Sequence, residues 1–209
     1  MNLKKFAAHY MLSPDGCFLK WPVITVRDDG QIMDVQTSPE GLKEQPGTSF
    51  FSGILVPAFI DIWLIDPPAF PDNRFFNRHF SQGTLIMRKP EGFDETEDRK
   101  TFPLLCSSLP KHPDEATFGG NTPLWERIKN HATSNLDIPF QQILHQVTTE
   151  AARFAGISNA GRLEPDASPG LLLVRKADLT GPSLTPDAVV NWLNVPSSAL
   201  FESLTRKTK

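Results

Sequence analysis

The sequence predicts an α+β fold, and three observations carry that prediction. The first 56 residues hold short apolar runs separated by tight-turn signals, the pattern of a small meander of strands. Residues 53–65 form one nearly unbroken apolar run, as expected of a strand covered on both faces. Residues 122–155 then switch to helical spacing.

Each element follows from its own punctuation. Residues 6–12, 18–26 and 31–35 read as three strands, with Pro14-Asp15-Gly16 and Asp28-Asp29-Gly30 as the turns between them. Residues 48–56 add a strand that leads into the central one at 57–64. Residues 67–75 are Pro-rich and read as a loop or short helix, and Thr84–Met87 as a second parallel strand. Glu91–Lys100 is charged and aperiodic, which predicts an exposed loop. Thr122 is the expected cap of a helix with Pro123 in its first turn and Leu124 and Ile128 on one face. A second helix runs from about Ile138 to Ala155, with Phe140, Ile143, Leu144, Val147, Ala151 and Phe154 in one stripe. Gly156 is its natural stop. Leu171–Val174 is a buried strand. Thr185-Pro186 opens a helix through Val189, Val190 and Trp192, which Pro196 breaks. A last helix ends in Arg206 and Lys207, where positive charge suits the dipole.

Composition bounds the function classes. At 39% hydrophobic and 22% charged residues, the 209-residue chain can bury a core. A net charge of -3 gives no basic footprint for nucleic acid. The run Gly53–Ile65 is too short for a membrane span of about 20 residues and is interrupted by Pro57 and Asp61. Lys4-Lys5 before Phe6–Leu12 mimics a signal peptide, but His9 and Tyr10 and the want of a cleavage site make it a strand. Two cysteines, Cys17 and Cys106, make no disulfide framework, so a cytoplasmic setting is expected.

Two motifs carry a family resemblance. Leu55, Val56, Pro57, Ala58, Phe59, Ile60 and Asp61 follow the pattern Val/Leu-x-Pro-Gly-Phe-Ile/Val-Asp/Asn. Further on, a Thr-x-x-x-Ala-like helix ends in Ala155-Gly156-Ile157. Gly161-Arg162-Leu163-Glu164-Pro165 and Pro169-Gly170-Leu171-Leu172-Leu173 come after it. In this order they resemble the metal-dependent amidohydrolase superfamily, in its chlorohydrolase and aminodeoxyfutalosine-deaminase-like branch. The resemblance implies a composite β-sandwich, residues 1–56 with 162–184. It also implies an α/β barrel over residues 57–161, with 185–209 as C-terminal helices.

The chain departs from the family in two ways. The strand that should deliver His-x-His carries Ile62 and Leu64, which have no lone pair for a cation. The stretch nearest the family's Gly-Thr-Asp-Ser-x-x-Ser-Asn runs from Asp114 to Asn121, with Ala116 at the aspartate position. Length is the other departure. A (β/α)8 barrel takes about 250 residues, about 200 at the least. About 105 residues separate Pro57 and Gly161. At roughly 30 residues per strand–helix unit, that is room for three or four units, a truncated remnant of the barrel.

The residues that remain as candidates for a residual site are Asp61, Asp66, His79 and Asn121. Asp61 stands at the C-terminal end of the central strand, where barrel chemistry resides, and Asp66 lies just beyond. The plainer reading of Asp61 is a strand-end carboxylate accepting from nearby amides. His145 reads as solvated, His131 as a C-terminal charge on its helix, and His112 as a loop residue. Cys106 reads as a small buried hydrophobe rather than a nucleophile. No metal and no cofactor is expected. The reading leans away from an enzyme, towards a non-catalytic binding or interaction module. The alternatives are a hydrolase of C–N bonds with a rebuilt site, and a structural subunit. A homo-oligomer or protein partner is expected over the apolar strand, through residues 67–100 and the aromatics Phe70, Phe75, Phe76 and Phe80. Neither nucleic acid nor membrane is an expected partner.

Overall fold

The structure is a computed structural model that describes residues 2–42, 45–68, 71–90, 104–106, 115–135, 137–175 and 201–205. Its larger sheet has seven strands. β1 (Leu3–Leu12) is central and long, and both β2 (Phe18–Lys20) and β3 (Val23–Arg27) run antiparallel along one of its edges. The expected single strand over 18–26 is therefore broken at Trp21-Pro22, because Trp21 adopts φ 50° and the ring of Pro22 removes a donor from the ladder. β4 (Ile32–Gln36) closes that side, and β5 (Thr48–Pro57) pairs parallel with the other edge of β1.

The smaller sheet is parallel throughout. β6 (Phe59–Asp61), α1 (Asn73–Ser81) and β7 (Thr84–Arg88) form a strand–helix–strand unit, and β8 (Leu104–Cys106) extends it. The central strand is shorter than the expected 57–64, since ladder pairing stops at Asp61 and resumes only as a bridge between Leu64 and Gly120. A short helix α2 (Glu115–Phe118) precedes that bridge. α3 (Leu124–Ser134) follows, and then α4 (Phe140–His145), a π-helical turn (Gln146–Glu150) and α5 (Ala151–Phe154) run on without a break. Thr122 does not cap α3. Pro123 holds the N-cap position without a side-chain bond, and the Thr122 carbonyl instead accepts from Arg127. Gly156, at φ 68°, ends the helical run with two closing bonds, Gly156 N–H to Arg153 and Ile157 N–H to Ala152.

The chain then returns to the first sheet. Ile32 N–H donates to Ala167 and Asp166 N–H to Ile32, which docks the 161–168 segment on β4. β9 (Leu171–Val174) pairs antiparallel with β5, so residues far apart in sequence share one sheet. β1–β5 and β9 belong to one seven-stranded sheet. β10 (Phe201–Ser203) pairs with β9. It stands where a C-terminal helix was expected, because its backbone completes the open edge of β9. The expected helix at 185–192 and the loop at 91–100 lie outside the described residues, as does His112.

Two apolar cores flank the larger sheet. Phe6, Ala8, Met11, Ile24, Val26 and Leu55 face Leu163 on one side. Ile54, Val56 and Leu172 join Phe59, Ile60, Ile62 and Trp63 on the other, against α3 and the long helical run. The apolar strand thus receives its cover from helices of its own chain. Phe76 is buried, and Phe75 and Phe80 are half-buried against the cores, so these three rings do not form the exposed aromatic surface expected of a partner site. Phe70 lies outside the described residues. Among the described residues no helix is long and apolar enough to cross a membrane.

Candidate functional site

The four candidate residues divide into two pairs around the end of β6. Asp61 and His79 meet in the interior. Asp66 and Asn121 meet at the surface, where Asn121 Nδ2 donates to the Asp66 carbonyl at 3.0 Å. Both of these side chains are exposed.

Local sequence explains how the inner pair forms. The N-cap carboxylate of Asp72 accepts from Phe75 N–H at 2.9 Å and starts α1 in a defined register. Phe76 and His79, three apart, then fall on its buried face. β6 is buried along its whole length, which forces Asp61 inside. His79 Nδ1 stands 3.6 Å from Asp61 Oδ2, near enough for charge attraction and long for a hydrogen bond. The Phe75 ring lies 4.6 Å from the imidazole. Among the described residues no partner reaches His79 Nε2.

The dominant partner of Asp61 is Arg127 on α3, a residue that the sequence reading passed over. Its Nη2 ion-pairs with Asp61 Oδ2. Nη1 donates to the Phe118 carbonyl and, at 3.3 Å, to that of Trp63, while Nε donates to Thr122 at 2.9 Å. One guanidinium therefore satisfies a carboxylate and three carbonyls around the chain crossing. Gly120 makes room for it. At φ 156° it bridges Trp63 and Ile65, and a Cβ there would stand 3.0 Å from Arg127 Cδ. A signal for Arg127 was present in the sequence. Leu124, Arg127, Ile128 and His131 occupy i, i+3, i+4 and i+7 on one face, and a cation on an apolar stripe needs a buried anion. Asp61, set in an apolar strand, is that anion.

The electrostatics agree with the geometry. Burial pushes the Asp61 carboxyl upward, but the Arg127 charge, with His79 behind it, overrides this and holds the carboxyl below its ordinary value. The expected amide bond is also present, with Trp63 N–H donating to Oδ1 at 3.3 Å. At the surface beside this cluster, Glu126 accepts from Arg78 at 2.9 Å and from Gln82 at 3.1 Å. Its own burial is outweighed by these bonds, and its carboxyl too is lowered.

A carboxyl lowered on folding adds stability that is present above its unfolded value, 3.8 for Asp61, and is lost as pH falls through the folded value. Urea midpoints should therefore drop steeply below pH of about 4. Asp61→Asn, if it folds, should flatten that acid limb relative to the parent. An unchanged limb in the variant would show that Asp61 is not the group responsible.

His145 is not solvated. It is half-buried, and its Nε2 lies 2.9 Å from the Pro14 carbonyl, which ties the helical run to the β1–β2 turn. His131 sits in the last turn of α3, as expected, with its ring 5.1 Å from Phe118. Cys106 is half-buried, and burial pushes its thiol upward, away from thiolate chemistry. Among the described residues no three His, Cys, Asp or Glu side chains converge as a group that could hold a metal. The donor set at the end of β6 does not suit a divalent transition metal, because Ile62 and Leu64 are buried hydrocarbons and Asp61 is already paired.

No protein-family model matches the sequence. No curated protein matches it either. Solved structures that match part of this chain include amidohydrolase-superfamily proteins. A prolidase complexed with N-methylphosphonate-L-proline is 14% identical over 51% of this chain and 32% of its own, with a TM-score of 0.40. Guanine deaminase from Bradyrhizobium japonicum is 13% identical over 42% of this chain and 29% of its own, with a TM-score of 0.31. N-acetyl-D-glucosamine-6-phosphate deacetylase from Mycobacterium smegmatis is 12% identical over 65% of this chain and 30% of its own, with a TM-score of 0.33. This chain thus spans about a third or less of the length of each of these neighbours.

Proposed function

We propose that this chain is a non-catalytic, amidohydrolase-like module that binds or scaffolds. In this reading the seven-stranded sheet, which β9 joins from the far end of the chain, is the counterpart of the family's composite sandwich (residues 1–56 with 162–184). β6, β7, β8 and their helices are a truncated remnant of its barrel, within residues 57–161. The observation that carries the reading is the pairing of Asp61 with Arg127. A carboxylate at the catalytic end of a barrel strand is here neutralised by a guanidinium that also ties down three carbonyls. It serves folding instead of chemistry.

An Asp–His pair is also what general-base catalysis requires. The His79 side chain is only 1% exposed and has Phe75 against its ring, so a substrate reaches it only if α1 moves. That geometry favours the structural role over the hydrolase alternative.

Elemental analysis of the purified protein tests the reading. Zinc, iron and manganese should all be far below one per chain. Ile62→His with Leu64→His should not restore metal binding, since two imidazoles fall short of the three protein ligands of a catalytic site. The two buried rings should instead destabilise the fold by about 1–3 kcal/mol each. A stoichiometric metal in the parent protein, removed by chelation together with a hydrolytic activity, would sink the proposal.

A further inference from the structure

The larger sheet has a kink that the cluster around Asp61 does not explain. Trp21 has φ 50°, a left-handed conformation that is a steric outlier for a bulky side chain. It interrupts the strand path between β2 and β3, while Trp21 N–H donates to the His9 carbonyl at 2.9 Å. On the opposite edge of β1, the register with β5 shifts between Ala8 and Tyr10, at the same level. Two irregularities facing one another across one strand re-aim the side chains between them, a device common next to binding sites.

The side chain at this break is the Trp21 indole. It is half-buried, with His9 5.2 Å away and Phe50 stacked at 6.4 Å and an interplanar angle of 30°. It forms a wall of an open cleft of about 310 Å³, lined also by Val23, Gln36, Thr37, Ser38 and Gln45. Among the described residues, every lining side chain is neutral.

The polar part of this lining is held in place. Lys5 Nζ donates to Gln45 Oε1 at 3.0 Å, Gln45 Nε2 to Gln36 Oε1 at 2.8 Å, and Gln36 Nε2 to Asp34 Oδ2 at 2.6 Å. The relay runs from a cation to an anion and orients both carboxamides. Each carboxamide keeps a second N–H and a second lone pair for a ligand, and Thr37 and Ser38 add hydroxyls. An aromatic wall, fixed amides and no charge among the described lining side chains select a ligand with one apolar face and hydroxyls at its rim. The size stands at the small end of ligand pockets, which suits one ring and not a chain of them.

We propose that the cleft between Trp21 and the Gln36–Gln45 pair binds a neutral hydroxylated ring, a pyranose sugar, with its C–H face on the indole and its vicinal hydroxyls on the carboxamides. The proposal stands apart from the role of Asp61 and survives or fails independently of it.

The test titrates the full chain with methyl glucoside, methyl galactoside and N-acetylglucosamine, each followed by calorimetry and by the indole N–H signals of the four tryptophans. Trp21→Phe assigns the Trp21 signal. The expected result is one saturable site per chain for at least one sugar, of millimolar affinity, with the Trp21 signal moving. Trp21→Ala and Gln36→Ala should each weaken binding by about tenfold or more, while Leu3→Ala, on an exposed strand end, leaves it unchanged. Should Trp21→Ala lose its folded circular-dichroism spectrum, Trp21→Phe and Gln36→Ala carry the comparison. Failure of all three sugars to saturate, or saturation that moves other tryptophan signals and leaves Trp21 still, overturns the assignment.

Discussion

Arg127→Met should destabilise the protein by about 3–5 kcal/mol, the range for removing one partner of a buried ion pair. The side chain is nearly fully buried, and its loss leaves Asp61 charged in an apolar strand. It also withdraws donors from Phe118, Thr122 and Trp63. The second substitution distinguishes a pair from two independent residues. Adding Asp61→Asn to Arg127→Met removes the orphaned charge and should recover part of the loss, even though Asp61→Asn alone is destabilising. Recovery should stay incomplete, because the carbonyls remain short of donors. Urea unfolding of the two single variants and the double variant gives the coupling directly. Simple additivity of the two losses would mean that the ion pair is not the centre described above.

Trp125→Ala should have a comparably large effect, about 3–5 kcal/mol, the usual range for truncating a buried aromatic residue. Trp125 is fully buried on α3, stacked at 6.2 Å on Phe59 of the central strand and edge-on at 6.1 Å to Phe140. It therefore fastens α3 and the long helical run to β6. Trp125→Phe should lose much less, since an aromatic contact with Phe59 survives. Thermal melts and urea midpoints measure both. A loss under about 1 kcal/mol for the alanine variant would imply a surface position, contrary to the packing found here. The Arg127 and Trp125 substitutions probe neighbouring residues of one helix, one through charge and the other through volume.

The long helical run was legible because its signal is local. Phe140, Ile143, Leu144, Val147 and Ala151 repeat at helical spacing, and Gly156 stops them with a left-handed turn. Strands at 48–57 and 171–174 were legible for a similar reason, as apolar runs between turn residues. Errors arose where a distant group outcompeted a local one. Thr122 has the chemistry of a cap, but its carbonyl is engaged by Arg127 and Pro123 takes the N-cap position. His145 lies off the apolar stripe by periodicity, yet the carbonyl of Pro14, far away in sequence, receives its ring. Phe201–Ser203 read as helical, while the unpaired edge of β9 supplied a strand partner.

The candidate site divides along the same line. Residue types alone set Asp61 in an apolar strand and placed beside it Ile62 and Leu64, which have no lone pair for a metal. Those conclusions need only side-chain chemistry. The partner of Asp61 could not be read in that way. Arg127 is 66 residues downstream, and the two meet because β6 and α3 pack through Phe59 and Trp125. Burial makes their pairing necessary, since a lone charge on either side would be expelled from the core. Which cation answers which anion is a property of packing, and packing is decided by the sum of contacts that no single stretch of the chain contains.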